Sequence, residues 1–346
     1  MPPKSVLRLG SIAAILALVL PALANPNRTL SAKAHRTIRG HSAPLRELAF
    51  SPDSTILATS SVDETVKLWR VADGKLVRIL KHPAGLTSVR FSPDGRTIAS
   101  ASYDGTVRVW RASDGRFVRT LRGHEGTIWT LAFSRDSRQI ASGGEDKTIR
   151  IWRASDGALL QTMRGHEMNI WAVAFSPDGR KLVSGSFDRT VRIWNTATGR
   201  LERTLQGHEQ AIVGVDWSPA GDVIASGGDD STVRLWRASD GKLLRTLTGG
   251  SDHVYSVAFS SDGKWLASGG REKGAFGTLW KQITGNRMKG GTSPTVRLWR
   301  VRDGALQQEL AGHSDDADSV AFSPDGRWLA TSSADDTVMI WRLAVR

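Results

Sequence analysis

The stretch Ser142-Gly143-Gly144-Glu145-Asp146-Lys147-Thr148-Ile149-Arg150-Ile151-Trp152 decides the fold, because it recurs along the chain with fixed spacing. From Thr148 to Trp152 the apolar Ile149 and Ile151 alternate with Arg150, the period-2 pattern of a strand with one buried face. Its closing tryptophan has counterparts at Trp69, Trp110, Trp194, Trp236, Trp299 and Trp341, with successive spacings of 41, 42, 42, 42, 63 and 42. A step of 63 is 42 plus 21, which marks one insertion in an otherwise regular array.

Working outward, a histidine lies 28 residues before the tryptophan in six units: His41, His82, His124, His166, His208 and His313. An aspartate lies 6 before it, at Asp63, Asp104, Asp146, Asp188, Asp230 and Asp335. A hydroxyl residue lies 4 before that aspartate, at Thr59, Ser100, Ser142, Ser184, Ser226 and Thr331. Each unit reads as four short strands joined by turns such as Ser92-Pro93-Asp94-Gly95 and Asp156-Gly157, whose residues favour turn geometry. A four-stranded unit this small cannot bury both faces of its sheet, so its neighbours must stack on it.

The Gly-His pairs, the Ser-Pro-Asp-Gly turns and the Asp-x-Thr-Val-Arg-Leu-Trp run resemble WD40 repeats over roughly residues 35–346. The resemblance implies an all-β, seven-bladed propeller with four antiparallel strands per blade. One departure is plain. The residue after the tryptophan is Arg70, Arg111, Arg153, Asn195, Arg237, Arg300 or Arg342, and never Asp.

The chain stops five residues after Trp341, without a fourth strand for the last unit, while residues 36–41 align with a fourth strand and the following Gly-His. This predicts that His35 to Arg39 supplies the outer strand of blade seven and closes the ring, which removes an exposed edge. Residues 1–24 read as a signal peptide: Lys4 and Arg8, an apolar run from Leu9 to Leu20, then Ala22-Leu23-Ala24. That run is shorter than the roughly 20 residues of a membrane span. The expectation is therefore export to the periplasm or beyond, with no stable membrane span after cleavage; the alternative is an uncleaved anchor. Residues 25–34 are expected to be a linker, and residues 35–346 the propeller.

The resemblance assigns the recurring His, Ser/Thr, Asp and Trp to buried, mutually hydrogen-bonded tetrads. Repetition in six units argues for scaffolding, since catalysis needs one site, and buried polar groups must be paired. The expected tetrads are His41/Thr59/Asp63/Trp69, His82/Ser100/Asp104/Trp110, His124/Ser142/Asp146/Trp152, His166/Ser184/Asp188/Trp194, His208/Ser226/Asp230/Trp236 and His313/Thr331/Asp335/Trp341. The sixth unit lacks one: Gly250 stands at the His position and Ser293 at the Asp position. Blade six is therefore expected to be the loosest, and its insertion, about residues 272–292, to overhang the top face.

No catalytic, cofactor-binding or metal-binding residues are expected. With no Cys there is no disulfide, thiolate site or Cys nucleophile, and no P-loop, dinucleotide motif or paired His ligands occur. Formal charge is +13. Lys67, Arg108, Arg150, Arg192, Arg234 and Arg297 each occupy the same place in their unit, so the charge forms a girdle rather than a nucleic-acid groove.

Functional positions should be those that vary at equivalent exposed places. Carried over from the family, the top-face positions lie three and five residues after the His and one before the tetrad Asp. They give a candidate protein-binding surface of Arg46, Tyr103, Trp129, Glu145, Trp171, Phe187, Asp229, His253 and Tyr255, an aromatic-rich composition suited to a hot spot. The bland alternative is that Trp129 and Trp171 pack under the rim. The expected function is a non-catalytic, monomeric scaffold binding a protein or peptide. One alternative is an enzyme or ligand-binding propeller using the central channel, with Glu145, Asp229, His253, Asp316 and Asp318 as its candidate groups. Another is a subunit of a larger assembly whose partner carries the activity.

Overall fold

A computed structural model of the protein describes residues 28–249, 251–272 and 294–345. The expected signal peptide, Gly250, Ser293 and nearly all of the blade-six insertion lie outside the described residues. Those described form 28 strands, from β1 (Leu30–Arg39) to β28 (Thr337–Val345), and no helix. The strands make seven four-stranded antiparallel sheets, a seven-bladed propeller. Six sheets are consecutive meanders. The seventh has the order β1-β28-β27-β26, with β26 (Ala317–Phe322) and β27 (Trp328–Ser333).

The closing strand is longer than expected. It pairs antiparallel with β28 from Leu30↔Val345 to Arg39↔Thr337, so residues 30–34, read as linker, belong to the blade. Leu30, Ala32 and Ile38 are its buried residues, and Gln308 of blade six clamps Ala32, accepting its N–H at 2.7 Å and donating to its carbonyl at 2.9 Å. Lys33, Ala34 and Arg36 are polar, small or exposed, which hid the strand from a reading by apolar alternation.

The core lies between blades. Seven clusters each join the faces of adjacent sheets: Val66, Leu68 and Leu80 of blade one pack with Leu86, Val89, Ile98 and Trp110 of blade two, and the arrangement repeats around the ring. Each repeat therefore buries its apolar surface only against a neighbour. Ring closure gives every blade, the first and last included, such an interface on both faces.

The innermost strand of each blade lines the channel: β2 (Leu45–Phe50), β6 (Leu86–Phe91), β10 (Ile128–Phe133), β14 (Ile170–Phe175), β18 (Ile212–Trp217), β22 (Ser251–Phe259) and β26. As edges, these strands leave backbone groups unpaired by their own sheet. Side chains of the preceding blade meet several of them: Glu47 accepts from Val89 N–H at 3.1 Å, Asp216 from Phe259 N–H at 2.8 Å, and Ser256 from Val320 N–H at 3.1 Å.

Candidate functional site

The repeated His, hydroxyl, Asp and Trp residues come together between the inner three strands of their blades. In blade four, Trp194 Nε1 donates to Ser184 Oγ at 2.8 Å, Ser184 Oγ lies 2.7 Å from His166 Nε2, and His166 Nδ1 lies 2.7 Å from Asp188. The hydroxyl accepts from the indole, so it donates to Nε2, and the imidazole donates from Nδ1 to the carboxylate. The backbone N–H of Glu167 adds a bond to Asp188 at 3.1 Å. The same chain of bonds joins the tetrads of His41, His124, His208 and His313, with His–Asp separations of 2.7, 2.9, 2.8 and 3.3 Å.

Blade two breaks the chain. Ser100 bonds His82 Nε2 and the Trp110 indole, each at 2.9 Å, but His82 Nδ1 is buried without a hydrogen-bond partner. Asp104 keeps the contact with Arg108, at 3.6 Å, and the bonds from Thr106 that its counterparts also make. Two local substitutions account for this. Pro83 follows His82 and has no N–H to hold the carboxylate, and Lys81 stands where Gly40, Gly123, Gly165 and Gly207 take φ values of 151 to 157°. The expected four-member tetrad at His82 is therefore a three-member chain. Burial, with the nearby Arg108, pushes the His82 imidazole down to about 3. Among the described residues of blade six, Trp299 Nε1 donates to Ser268 Oγ at 2.9 Å.

The hydroxyls of these chains are sealed from solvent. Thr59, Ser100, Ser142, Ser184, Ser226 and Thr331 have no exposed surface, so the hydroxyl–imidazole–carboxylate order that resembles a hydrolytic triad is closed to any acyl group.

The accessible chemistry sits at one mouth of the channel. Each innermost strand carries a β-bulge near its start, and the residues skipped in the pairing are Arg46, Thr87, Trp129, Trp171, Val213, Tyr255 and Asp318. A bulge re-aims a side chain out of the ladder. All seven line one cavity of about 420 Å³, together with Glu47, Arg90, Arg271 and Asp316.

Half of the mouth is aromatic. Trp129 and Trp171 stack with centroids 4.3 Å apart and planes 10° apart, Phe187 stacks on Trp171 at 5.3 Å, and Tyr103 meets Trp129 edge-on at 5.7 Å. Phe187 is 36% exposed and the other three are half-buried. Trp129 and Trp171 thus both pack on one another and wall the cavity. Their indole N–H groups are covered and have no hydrogen-bond partner.

The other half is ionic. Arg271 donates to Asp316 at 3.0 Å and lies 5.9 Å over the Tyr255 ring, whose hydroxyl donates to Asp316 at 3.3 Å. Burial, with Asp316 beside it, pushes the Tyr255 phenol up. His253 stacks on Tyr255 at 5.9 Å and lies 3.0 Å from Asp229. Deeper in the channel, Arg90 pairs with Glu47, which also accepts from Ser88.

Of the nine top-face residues read from the sequence, Arg46, Trp129, Trp171 and Tyr255 line the cavity, while Tyr103, Phe187 and His253 touch one of them and Asp229 touches His253. Glu145 does something else: its carboxylate accepts the Thr127 N–H at 3.0 Å, a bond inside its own blade. Arg271, Glu47 and Arg90 escaped the sequence reading. Glu47 and Arg90 are legible in retrospect as charged residues inside short inner strands, whereas Arg271 is placed only by its contact with the neighbouring blade.

The family model for the WD domain, G-beta repeat, matches residues 32–70, 74–111, 115–153, 157–195, 199–237, 241–274 and 304–342. The fold is that of a WD40 β-propeller, and the chain belongs to the WD40 repeat family. Individual relatives match over about one repeat. Human Coronin-7 is 46% identical over 48 residues, 14% of this chain and 5% of that protein. The uncharacterized WD repeat-containing protein sll1491 of Synechocystis is 46% identical over 50 residues, 14% of each. The target of rapamycin complex subunit wat1 of Schizosaccharomyces pombe is 39% identical over 51 residues, 14% of this chain and 16% of that protein. The matched stretch thus spans a small part of each relative.

Proposed function

We propose that this protein is a non-catalytic platform that binds a protein or peptide at the bulge-lined mouth of its channel. The supporting observation is the ladder Tyr103–Trp129–Trp171–Phe187, which carries aromatic surface across three blades to the rim. Clustered aromatics at a surface cavity are the usual anchors of recognition. The rigid tetrads hold this surface and do no chemistry.

The test is affinity capture from the native cell envelope with wild type and the Trp129→Ala/Trp171→Ala protein, quantified by mass spectrometry. A partner recovered by wild type and lost by the folded double variant supports the reading; equal recovery of every partner defeats it. Export belongs to the same proposal, resting on the basic, apolar and Ala-x-Ala segments of residues 1–24. N-terminal sequencing of the native protein should begin at Asn25, and an intact Met1 in a cytosolic fraction would refute it. Among the described residues no helix is long and apolar enough to cross a membrane.

A further inference from the structure

Asp318 is the anomaly of the cavity. It occupies the bulged position of blade seven, so in the ring it stands between Tyr255 of blade six and Arg46 of blade one. Its side chain is 16% exposed, yet Oδ2 is covered and accepts no hydrogen bond, and Arg46 Nη1 lies 3.8 Å away, beyond hydrogen-bond reach. The neighbouring charges are otherwise engaged: Arg271 with Asp316, and Arg90 with Glu47. Arg46 itself is 43% exposed. The cavity therefore joins one under-coordinated carboxylate to a wall of indole and phenol rings, and a buried carboxylate is stabilised by a hydrogen-bonded cation.

We propose that the cavity receives a basic side chain, a guanidinium or ammonium, from the protein bound at the channel mouth, with Asp318 as its counter-charge and the rings of Tyr255, Trp129 and Trp171 as its walls. This inference rests on the proposed docking face and specifies the residue that enters it. An acidic side chain would meet the Asp318, Asp316 and Glu47 carboxylates, while a neutral one would leave Asp318 with only its 3.8 Å contact to Arg46. A cation completes the pairing, and aromatic faces attract it as well. The occupant shares Asp318 with Arg46, whose 3.8 Å ion pair carries no hydrogen bond.

The groups facing Asp318 set a pH response. Burial raises its carboxyl to about 7, with Asp316 and Asp315 adding to the rise and Arg46 of β2 and Arg271 of blade six opposing it; Tyr255 faces it as a neutral phenol. A cation binds the ionised form, so affinity should rise as the pH passes upward through 7.

The experiment uses N-acetyl-arginine methylamide and its uncharged analogue N-acetyl-citrulline methylamide, titrated into the full propeller and followed by the indole N–H signals of Trp129 and Trp171. The arginine probe is expected to bind at least tenfold more tightly than citrulline, and about tenfold more tightly at pH 8 than at pH 6, with citrulline unaffected by pH. Asp318→Asn should abolish the preference, and Arg46→Ala should leave it intact or strengthen it. Equal binding of the two probes, failure of both to bind, or a preference retained by Asp318→Asn would overturn the proposal. The pH comparison on wild type stands even if Asp318→Asn does not fold. Should the preference be absent while the double tryptophan variant still loses its partner, only the basic-residue inference falls. If the preference is present and that variant keeps every partner, the docking face falls instead.

Discussion

The indole of Trp129 lies parallel to that of Trp171, 4.3 Å away, although the two residues sit on different blades. They meet because β10 and β14 each skip one residue in pairing with their neighbours, which turns both rings out of the ladder and towards the channel mouth. Replacing both by Ala removes a stacked pair worth about 1 kcal/mol beyond its buried area. Affinity for the partner should drop at least tenfold while the thermal midpoint moves by only a few degrees. Unfolding of the double variant at ambient temperature would show that the pair is structural.

The contrast between His166 and His82 gives a second prediction. His166 links Ser184 to Asp188, so His166→Ala leaves two buried groups short of a partner and should cost about 2–3 kcal/mol. His82 bonds only Ser100, and its Nδ1 is already unpaired, so His82→Ala should cost at least about 1 kcal/mol less. Urea denaturation monitored by tryptophan fluorescence ranks them; the reverse order would contradict the account of blade two.

The same account predicts a gain. Lys81→Gly with Pro83→Glu restores the backbone freedom and the N–H that hold the carboxylate in blade four. The variant should be stabilised by about 1 kcal/mol, the worth of a recovered hydrogen bond. An imidazole nitrogen-15 spectrum should then show His82 Nδ1 hydrogen-bonded to Asp104. An unchanged His82 signal would mean that something other than these two residues keeps the pair apart.

Acid should unfold the ring through the tetrad aspartates. Burial pushes the carboxyls of Asp63 and Asp146 up, but hydrogen bonds from Thr65 and His41, and from His124 and Thr148, overcome it and hold both at about 2. Asp188, Asp230 and Asp335 are likewise held well below the ordinary range. Their folded pKa values are depressed, so the stability they confer is present above about pH 4, the unfolded carboxyl value, and is lost as the pH falls towards 2. A denaturation midpoint that is constant from pH 5 to pH 2.5 would be incompatible with this arrangement.

Ring closure is testable by truncation. Deleting residues 28–40 exposes the edge of β28 and removes the buried Leu30 and Ile38, about 3–6 kcal/mol of apolar burial. The thermal midpoint should fall by at least about 5 °C in a single transition. A separate early transition confined to blade seven would show that the blades do not act as one core.

What sequence alone determined was the part of the structure that repeats. Periodic Trp, His and Asp, strand alternation and turn residues sufficed for seven blades and for the partners in five tetrads, because those relations lie within one 42-residue unit. The homology of residues 36–41 to a fourth strand was enough for ring closure, but not for its start at Leu30, which is held by Gln308 and β28 on the far side of the ring. The broken chain at His82 was written in Lys81 and Pro83, yet its meaning needed the backbone N–H to Asp bond seen in blade four. Only the tertiary structure turned seven bulged residues into one cavity, paired Arg271 with Asp316 and left Asp318 Oδ2 without a hydrogen bond. Those contacts join different blades, and a side chain's neighbours across a channel depend on where the closed ring places them rather than on local spacing.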